Sequence, residues 1–195
     1  GGSSSLIIGG VALAAAGQEM IDTARQLAAR ELEVASDDVE YRDGVFAVKG
    51  TDLRLGLFEL ATRLKAPLEG RGKFAEKNAS YPYGCQVAEV EIDAGTGAVA
   101  IRNYLSVDDL GRVIHPAMAA GQLVGGIVQG LGQALYEHVR YDADSGQLLT
   151  ASFMDYALPH ADEIPPINVT FIDTPTANNS LGVKGAGECG TMGAA

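Results

Sequence analysis

The stretch Gly182-Val183-Lys184-Gly185-Ala186-Gly187-Glu188-Cys189-Gly190 lies near the C-terminal end of the 195-residue sequence. Four glycines in these nine residues surround a single carboxylate, that of Glu188. Because glycine has no Cβ, such a backbone can approach a ligand closely while it presents one acid. We therefore expect Glu188 to be a buried carboxylate and the first candidate for a catalytic group.

The same glycines also spell the dinucleotide fingerprint G-x-G-x-x-G, from Gly185 to Gly190. That fingerprint follows a strand, opens a long helix and needs an acid about 20 residues further on to bind the ribose. Only five residues come after Gly190, and Glu188 would repel a pyrophosphate. A nucleotide-binding domain is therefore disfavoured, and we expect no saturable dinucleotide binding.

Structural interpretations stay open for the carboxylates. Glu188 could cap a helix that begins at Thr191, where free N–H groups favour a negative charge. Asp108 and Asp109 could form a carboxylate pair, or they could end a strand and cap the next element. The histidines lack metal-ligand spacing, so we predict no metal ligand from the chain; they are His115, His138 and His160.

Charge and cysteine content exclude several classes of protein. The formal net charge is -11, with only 14 Lys and Arg residues. Nucleic acids and anionic membranes bind clustered cationic side chains, so we expect neither as a partner. The two cysteines, Cys85 and Cys189, cannot hold an iron–sulfur cluster of the four-thiolate kind and do not suggest a disulfide framework. We expect a cytoplasmic protein.

Residues 1–68 are predicted to form a helix-hairpin-helix lobe that carries an N-terminal Gly/Ser loop. Apolar residues recur at helical spacing over residues 11–32, which indicates an amphipathic helix. Asp43-Gly44 favours a two-residue turn between strands at 39–41 and 45–47. A second helix is predicted over residues 53–64, ending before Pro67.

Residues 69–195 are predicted to form a second lobe with a hairpin, a Gly-rich helix and the Glu188 loop. The apolar period changes to two over residues 87–92 and 99–107, which indicates a hairpin with one buried face. A further strand is predicted over residues 167–172. The predicted fold class is α+β: mixed short sheets with hairpins, packed by about three helices.

A helix is predicted over residues 117–139, although each of its five glycines costs about 1 kcal/mol relative to alanine. Gln122, Gly126, Gln129 and Gln133 share one helical face. A membrane-spanning helix is disfavoured, because the three glutamines would lie in hydrocarbon. Close helix–helix packing explains most of the glycines, and the small polar face suits contact with a polar cofactor.

The sequence at 182–190 resembles the active-site loop of the molybdenum hydroxylases, the family of xanthine dehydrogenase, aldehyde oxidase and aerobic carbon monoxide dehydrogenase. The resemblance is to their large, molybdopterin-binding subunit. Three further blocks agree with it in the same order: GGSSS at 1–5, VDDLGRVIHP at 107–116 and GQLVGGIVQGLGQALYE at 121–137. Since a complete subunit is several times longer, the resemblance implies that this chain is the C-terminal part of a larger molybdopterin-binding domain.

The resemblance also implies roles for individual residues. It makes Glu188 the general base beside the molybdenum. In the family a Gly-Ser-Arg-Ser-like segment wraps part of the pterin, and here Ser4 takes the place of the basic residue. A Gly/Ser run can form a nest that binds an anion. The implied cofactor contacts are Gly2, Ser3, Ser4, Ser5, Gln122, Val183, Lys184 and Gly185.

By the same resemblance the cofactor is a molybdenum pyranopterin, in its plain or its cytosine dinucleotide form. Iron–sulfur clusters and FAD are expected on other domains or subunits. The implied reaction hydroxylates an aldehyde, an N-heterocycle or a similar small carbon centre with water-derived oxygen, or oxidises carbon monoxide. The implied partners are the rest of the subunit, the iron–sulfur and flavin subunits and a small-molecule substrate, and we expect the chain alone to be inactive. The alternative is a non-catalytic α+β module that assembles subunits through its Gly-rich helix.

Overall fold

The computed structural model describes residues 3–65 and 67–194. These residues contain four α-helices and two three-stranded sheets, which confirms the predicted α+β class. The fourth helix is a short one that comes directly after Glu188. The chain packs as two compact units, Ile8–Ala75 and Glu76–Ala195, and the latter includes the N-terminal residues up to Ile7. The boundary between the two predicted lobes, after residue 68, stays a prediction.

The first unit pairs a long helix with an antiparallel sheet of order β1-β2-β3. Its elements are α1 (Val11–Glu31), β1 (Val39–Arg42), β2 (Val45–Val48), β3 (Arg54–Gly56) and α2 (Leu57–Leu64). Asp43 and Gly44 have positive φ angles of 50° and 83°, as a tight hairpin turn requires. The predicted hairpin is thereby confirmed.

The predicted start of α2 at residue 53 is wrong. Residues 54–56 pair with β2 instead, and Leu55 is buried in the core of the unit. The core contains two small residues of α1, Ala24 and Ala28, together with Phe46 and Leu60. Pairing with β2 therefore outweighs the helical pattern, because it buries Leu55 between the sheet and α1.

A segment after α2 lies directly along α1. A Cβ added to Gly70 would stand 2.0 Å from the carbonyl oxygen of Ala16, and one on Gly72 would stand 1.8 Å from that of Ala12. Only glycine permits such contact between main chains. This segment packs within the first unit.

The helical stretch Ser5–Glu31, which begins with a π-helical segment (Ser5–Gly10), is long and apolar enough to cross a membrane by length and composition. Core helices of globular domains meet the same two criteria. Ala24, Ala28 and Ala29, in the C-terminal part of this stretch, pack in the core of the first unit, whereas only 11% of its most apolar 18 residues are buried. One helix of this length and composition is weak evidence for a membrane span, since a signal sequence near the N-terminus also meets the criteria.

The second unit packs two helices against one face of a mixed sheet. Its elements are β4 (Tyr83–Ile92), β5 (Val99–Asp109), α3 (Pro116–Leu135), β6 (Ile167–Ile172) and α4 (Cys189–Ala194). β4 and β5 form the predicted hairpin, with a bulge at Glu89/Val90. β6 adds to β5 in parallel, which confirms the predicted strand at 167–172.

The prediction that one whole face of the hairpin is buried is only partly right. Tyr104 on β5 is buried against Ile127 and Leu131 of α3. Beyond the bulge, however, Val90 and Ile92 are 50% and 62% exposed. Alternating apolar residues show which face a side chain takes, but not how far the covering helices extend.

The Gly-rich helix α3 begins at Pro116, after His115, whose Nδ1 accepts a hydrogen bond from the Met118 N–H at 3.2 Å. A Cβ on Gly130 would lie 2.6 Å from the carbonyl oxygen of Thr191, in α4. Gly126 is also buried against Thr191. Close packing of α3 on α4 is therefore the compensation for the low helix propensity of these glycines.

We expect Gly130→Ala to destabilise the protein by about 1–3 kcal/mol, because the new methyl group would push α4 away from α3. Gly125 is the matched control on the same helix, since nothing lies within 4 Å of a Cβ there. Gly125→Ala should stabilise by up to about 1 kcal/mol through helix propensity. Urea unfolding measures both changes, and equal effects of the two substitutions would contradict the packing described.

Candidate functional site

The Gly-rich segment at 182–188 is joined to the end of β5 by main-chain hydrogen bonds. Lys184 N–H donates to Leu110 O at 2.9 Å, and Arg112 N–H donates to Gly182 O at 2.9 Å. Gly111 and Gly182 both have positive φ, 65° and 70°. A Cβ on Gly111 would stand 2.2 Å from Gly182 O, so this junction requires glycine.

Val183 is fixed in the interior by the side chain of Asn179. The Asn179 amide donates to Val183 O at 2.9 Å and accepts from Val183 N–H at 3.2 Å. Both residues are buried, and Val183 is 1% exposed. The side chain of Val183 therefore packs in the protein.

A buried ion pair holds the next residue. The Lys184 ammonium lies 3.0 Å from Asp109 Oδ2, with side-chain exposures of 10% and 0%. Asp109 Oδ1 accepts the Gly111 N–H at 2.7 Å, and the ammonium also stands over the ring of Tyr83, 4.8 Å from its centroid. A cation held by a carboxylate and an aromatic face is strongly localised.

Ser3 holds the middle of the segment. Its hydroxyl oxygen accepts the N–H groups of Ala186 and Gly187, at 2.8 and 3.0 Å. Hypothetical Cβ atoms on Gly185 and Gly187 would lie 3.1 and 3.3 Å from the Cβ of Ser3. The N-terminal serines and the Gly-rich segment, which are far apart in sequence, thus form one structure, as expected if both belong to one site.

Glu188 stands at the edge of a cavity of about 700 Å³ within the second unit. The cavity is lined by main chain at glycines, by hydroxyl groups and by three carboxylates; its lining includes Ser3, Ser4, Glu76, Ser80, Tyr83, Gly84, Gln86, Asp108, Gly185, Gly187, Glu188 and Cys189. No Lys, Arg or His is among the described lining residues. The cavity is therefore anionic.

The expectation that Glu188 is buried is wrong for this chain, where Glu188 is exposed. It occupies a turn just before α4, which begins at Cys189 and not at Thr191. Its carboxylate is therefore free to meet any molecule that enters the cavity.

In contrast to Glu188, Asp108 is buried, with 1% of its surface exposed. It accepts a hydrogen bond from the Ser106 hydroxyl, and a Cβ on the facing Gly84 would collide with its Oδ1. Burial, followed by the charge of Asp108, raises the pKa of the Cys189 thiol to about 11. Cys189 is thus a protonated thiol at neutral pH.

The structure brings some of the predicted site residues to the cavity and not others. Those in the lining are Ser3, Ser4, Gly185 and Glu188. Those outside it are Ser5, Gln122, Val183 and Lys184; Gln122 is exposed on α3. Gly2 lies outside the described residues. The roles inferred for all of these residues stay predictions.

Sequence reasoning missed the lining residues Gly84 and Gln86, and it left Asp108 open between a carboxylate pair and a strand-end cap. Gln86 accepts from the Tyr104 hydroxyl at 2.5 Å and donates to Gly190 O at 3.4 Å, so it links β4 to α4. All three lie on one face of the sheet, at alternate positions of paired strands. Small or polar residues at alternate strand positions were the signal that could have revealed this wall.

The described residues contain no group of three or more His, Cys, Asp and Glu side chains that could hold a metal ion. The hydroxyl groups, exposed main chain and carboxylates of the lining are hydrogen-bonding groups suited to an organic cofactor.

Comparison with known proteins identifies the family. A family model described as a molybdopterin cofactor-binding domain matches residues 1–165. The chain belongs to this family. The Glu188 loop lies beyond the matched residues, but relatives that align with nearly the whole chain include it.

Two curated relatives of this molybdopterin-binding chain share about a third of its residues. The gamma subunit of the 6-hydroxypseudooxynicotine dehydrogenase complex of Paenarthrobacter nicotinovorans is 38% identical over 98% of this chain and 25% of its own length. The carbon monoxide dehydrogenase large chain of Afipia carboxidovorans is 33% identical, with the same coverages. The chain therefore spans about a quarter of the length of these relatives.

A solved structure agrees with the sequence relationship. Reconstituted carbon monoxide dehydrogenase from Oligotropha carboxidovorans matches with a TM-score of 0.91 and 33% identity, over all of this chain and 25% of that one. The resemblance to the large subunits of molybdenum hydroxylases is thus confirmed.

The Asp109 carboxyl predicts how stability depends on pH. Burial alone would raise its pKa, but hydrogen bonds from the Gly111 N–H, Lys184, Tyr83 and Thr174 outweigh burial and hold the pKa at about 2, against an ordinary value of 3.8. Because the pKa is lowered in the folded state, this stabilisation is complete above the ordinary pKa and is lost as the pH falls through about 2.

We expect Asp109→Asn to be less stable than wild type at neutral pH, and this difference to shrink by about 2 kcal/mol between roughly pH 5 and pH 2. Urea unfolding at a series of pH values measures the difference. Asp52→Asn, at an exposed residue of the first unit, is the control and should show no such change. A difference that stays constant or widens in acid would contradict the assigned pKa.

Proposed function

We propose that this chain is the part of a molybdenum hydroxylase large subunit that carries the general base, Glu188. The observation that supports the proposal most directly is the position of Glu188. It is an exposed carboxylate at the edge of a cavity of about 700 Å³. Its segment is held by the end of β5 and by Ser3. The volume is within the usual range for sites that take small molecules and cofactors.

The cavity fits a molybdenum pyranopterin in two respects. Its lining includes the rings of Tyr81 and Tyr83, against which a planar ring system can pack. Its carboxylates can accept hydrogen bonds from the amino and ring N–H groups of a pterin. When bound, this cofactor supplies a two-electron oxidant and a water-derived oxygen nucleophile.

The anionic lining also limits how the cofactor is placed. Glu76, Asp108 and Glu188 face the cavity, and no cationic side chain of the described lining balances them. A phosphate there would be repelled. We therefore place the phosphate of the pyranopterin, or the cytosine dinucleotide extension, outside this cavity, and only the ring system inside it.

In this proposal the Glu188 carboxylate would accept and hold the proton released from the water-derived nucleophile that the cofactor would supply. General-base catalysis of this kind contributes about 10²–10⁴-fold to the rate. Cys189 beside it stays protonated, since its pKa is raised to about 11, and so it does not compete as a nucleophile.

The partners are inferred from the family and the cysteine content. Iron–sulfur clusters of the usual kind need four thiolates, and the chain has two cysteines, so we place the clusters on other domains or subunits. By the family resemblance we place FAD there as well. The substrate is a small molecule of the aldehyde, N-heterocycle or carbon monoxide class. We place the complex in the cytoplasm.

The alternative, a non-catalytic assembly module, relies on α3 as an interface. Gly126 and Gly130 of that helix are already packed against α4, which leaves Gly121 and Gly125 on its open side. An assembly role also gives no reason for an exposed carboxylate at the edge of a cavity. We therefore favour the catalytic proposal.

The catalytic proposal predicts the effect of Glu188→Gln in the complete enzyme. Loss of the base should lower kcat by about 10²–10⁴-fold, while the molybdenum content stays unchanged because the amide has the same shape. Steady-state kinetics with elemental analysis of the same sample measures both. Glu89→Gln, on the exposed end of β4, is the control and should keep full activity. Normal turnover by a fully loaded Glu188→Gln enzyme would refute the proposal.

The cofactor assignment predicts roughly one molybdenum per large subunit in the complex purified from its source. Elemental analysis, related to the concentration of a subunit that contains this sequence, gives the ratio. An intact, folded complex without molybdenum would contradict the assignment and favour the assembly module.

A further inference from the structure

The carboxylate of Glu188 has no described hydrogen-bond partner that would fix its place, so its position depends on the main chain that carries it. That main chain has two firm ends. On one side Lys184 is held by Asp109; on the other Gly190 packs against α3, where a Cβ would stand 2.5 Å from Leu123 O. Between these ends the N–H groups of residues 186 and 187 donate to the hydroxyl of Ser3.

The Asp109–Lys184 pair is not well explained by stability alone. Removing both charges from water carries a desolvation cost, and replacing a buried ion pair with apolar residues of similar volume is often neutral or stabilising. A buried pair does specify geometry, because the charges meet favourably in only one arrangement. With side-chain exposures of 0% and 10%, Asp109 and Lys184 form such a buried pair.

The location of the pair connects it to the cavity. Lys184 stands four residues before Glu188, and its ammonium lies over Tyr83, a residue of the cavity lining. Asp109 is the neighbour of Asp108, which lines the same cavity. The pair therefore joins the two walls, the end of β5 and the Gly-rich segment, directly behind the surface that a ligand would meet.

We infer that the buried Asp109–Lys184 ion pair is a positioning device that sets where the Glu188 carboxylate stands in the cavity. The inference rests on the proposed role of Glu188 as the base. Neither Asp109 nor Lys184 faces the reacting atoms, and both act through the main chain from Lys184 to Glu188. A displacement of about 1 Å in a catalytic group is enough to lower a rate about 10²-fold.

The test is the double variant Asp109→Asn/Lys184→Met in the complete enzyme complex. Removing both charges avoids the uncompensated buried charge that either single substitution would leave. We expect the double variant to assemble and to load molybdenum normally, with KM unchanged and kcat about 10²-fold lower. The amides of Lys184, Ala186 and Gly187 should exchange hydrogen about tenfold faster, because they open locally.

A matched control makes the comparison specific. Glu91→Gln/Arg102→Met removes a salt bridge of 2.5 Å in the same sheet, whose side chains are 63% and 58% exposed. It should change neither kcat nor the exchange of those amides.

A double variant with wild-type kcat would overturn the inference, and so would a lowered kcat without faster exchange at 184–187. Failure of the double variant to assemble or to load molybdenum would overturn it as well, because the pair would then support the whole domain. Glu188→Gln, measured alongside, distinguishes the two proposals: if it keeps normal turnover, the base assignment fails, while the exchange data still report on the anchoring.

Discussion

The site depends on contact between main chains that only glycine allows. At the start of the Gly-rich segment, Gly111 and Gly182 leave no room for a Cβ, and at its end Gly190 presses on the backbone of α3. These two contacts fix a segment that has few side chains of its own with which to pack. The rigidity of the segment is therefore supplied by its neighbours.

Polar groups complete the structure that the glycines permit. Asn179 satisfies both main-chain groups of Val183, and Ser3 satisfies two N–H groups further on. Buried N–H and C=O groups without partners are costly, so a segment outside regular secondary structure needs such side chains. The serines near the N-terminus are thus tied to the C-terminal segment by hydrogen bonding, and this accounts for their place in the second unit despite the first unit lying between them in sequence.

Sequence reasoning predicted the elements whose patterns are local and failed where distant partners decide. The hairpin turn at Asp43-Gly44 and the strand over 167–172 are predicted by dihedral preference and period, and both are present. Residues 54–56 form a strand because they pair with β2. A helical period in the sequence cannot reveal that pairing. Likewise the glycine spacing located the cavity segment, but the exposure of Glu188 depends on which side chains surround it in space.

Lys184 shows the same distinction within the site. In sequence it is a cation inside a loop that resembles a cofactor-binding one, and a contact with the cofactor was the natural inference. In the structure its charge is paired with Asp109, which lies 75 residues earlier, and only this long-range partner changes the interpretation. The glycines determine where the segment can lie, whereas the ion pair determines where along that path it is held; a loop so poor in side chains has few other means of holding a catalytic carboxylate in one place.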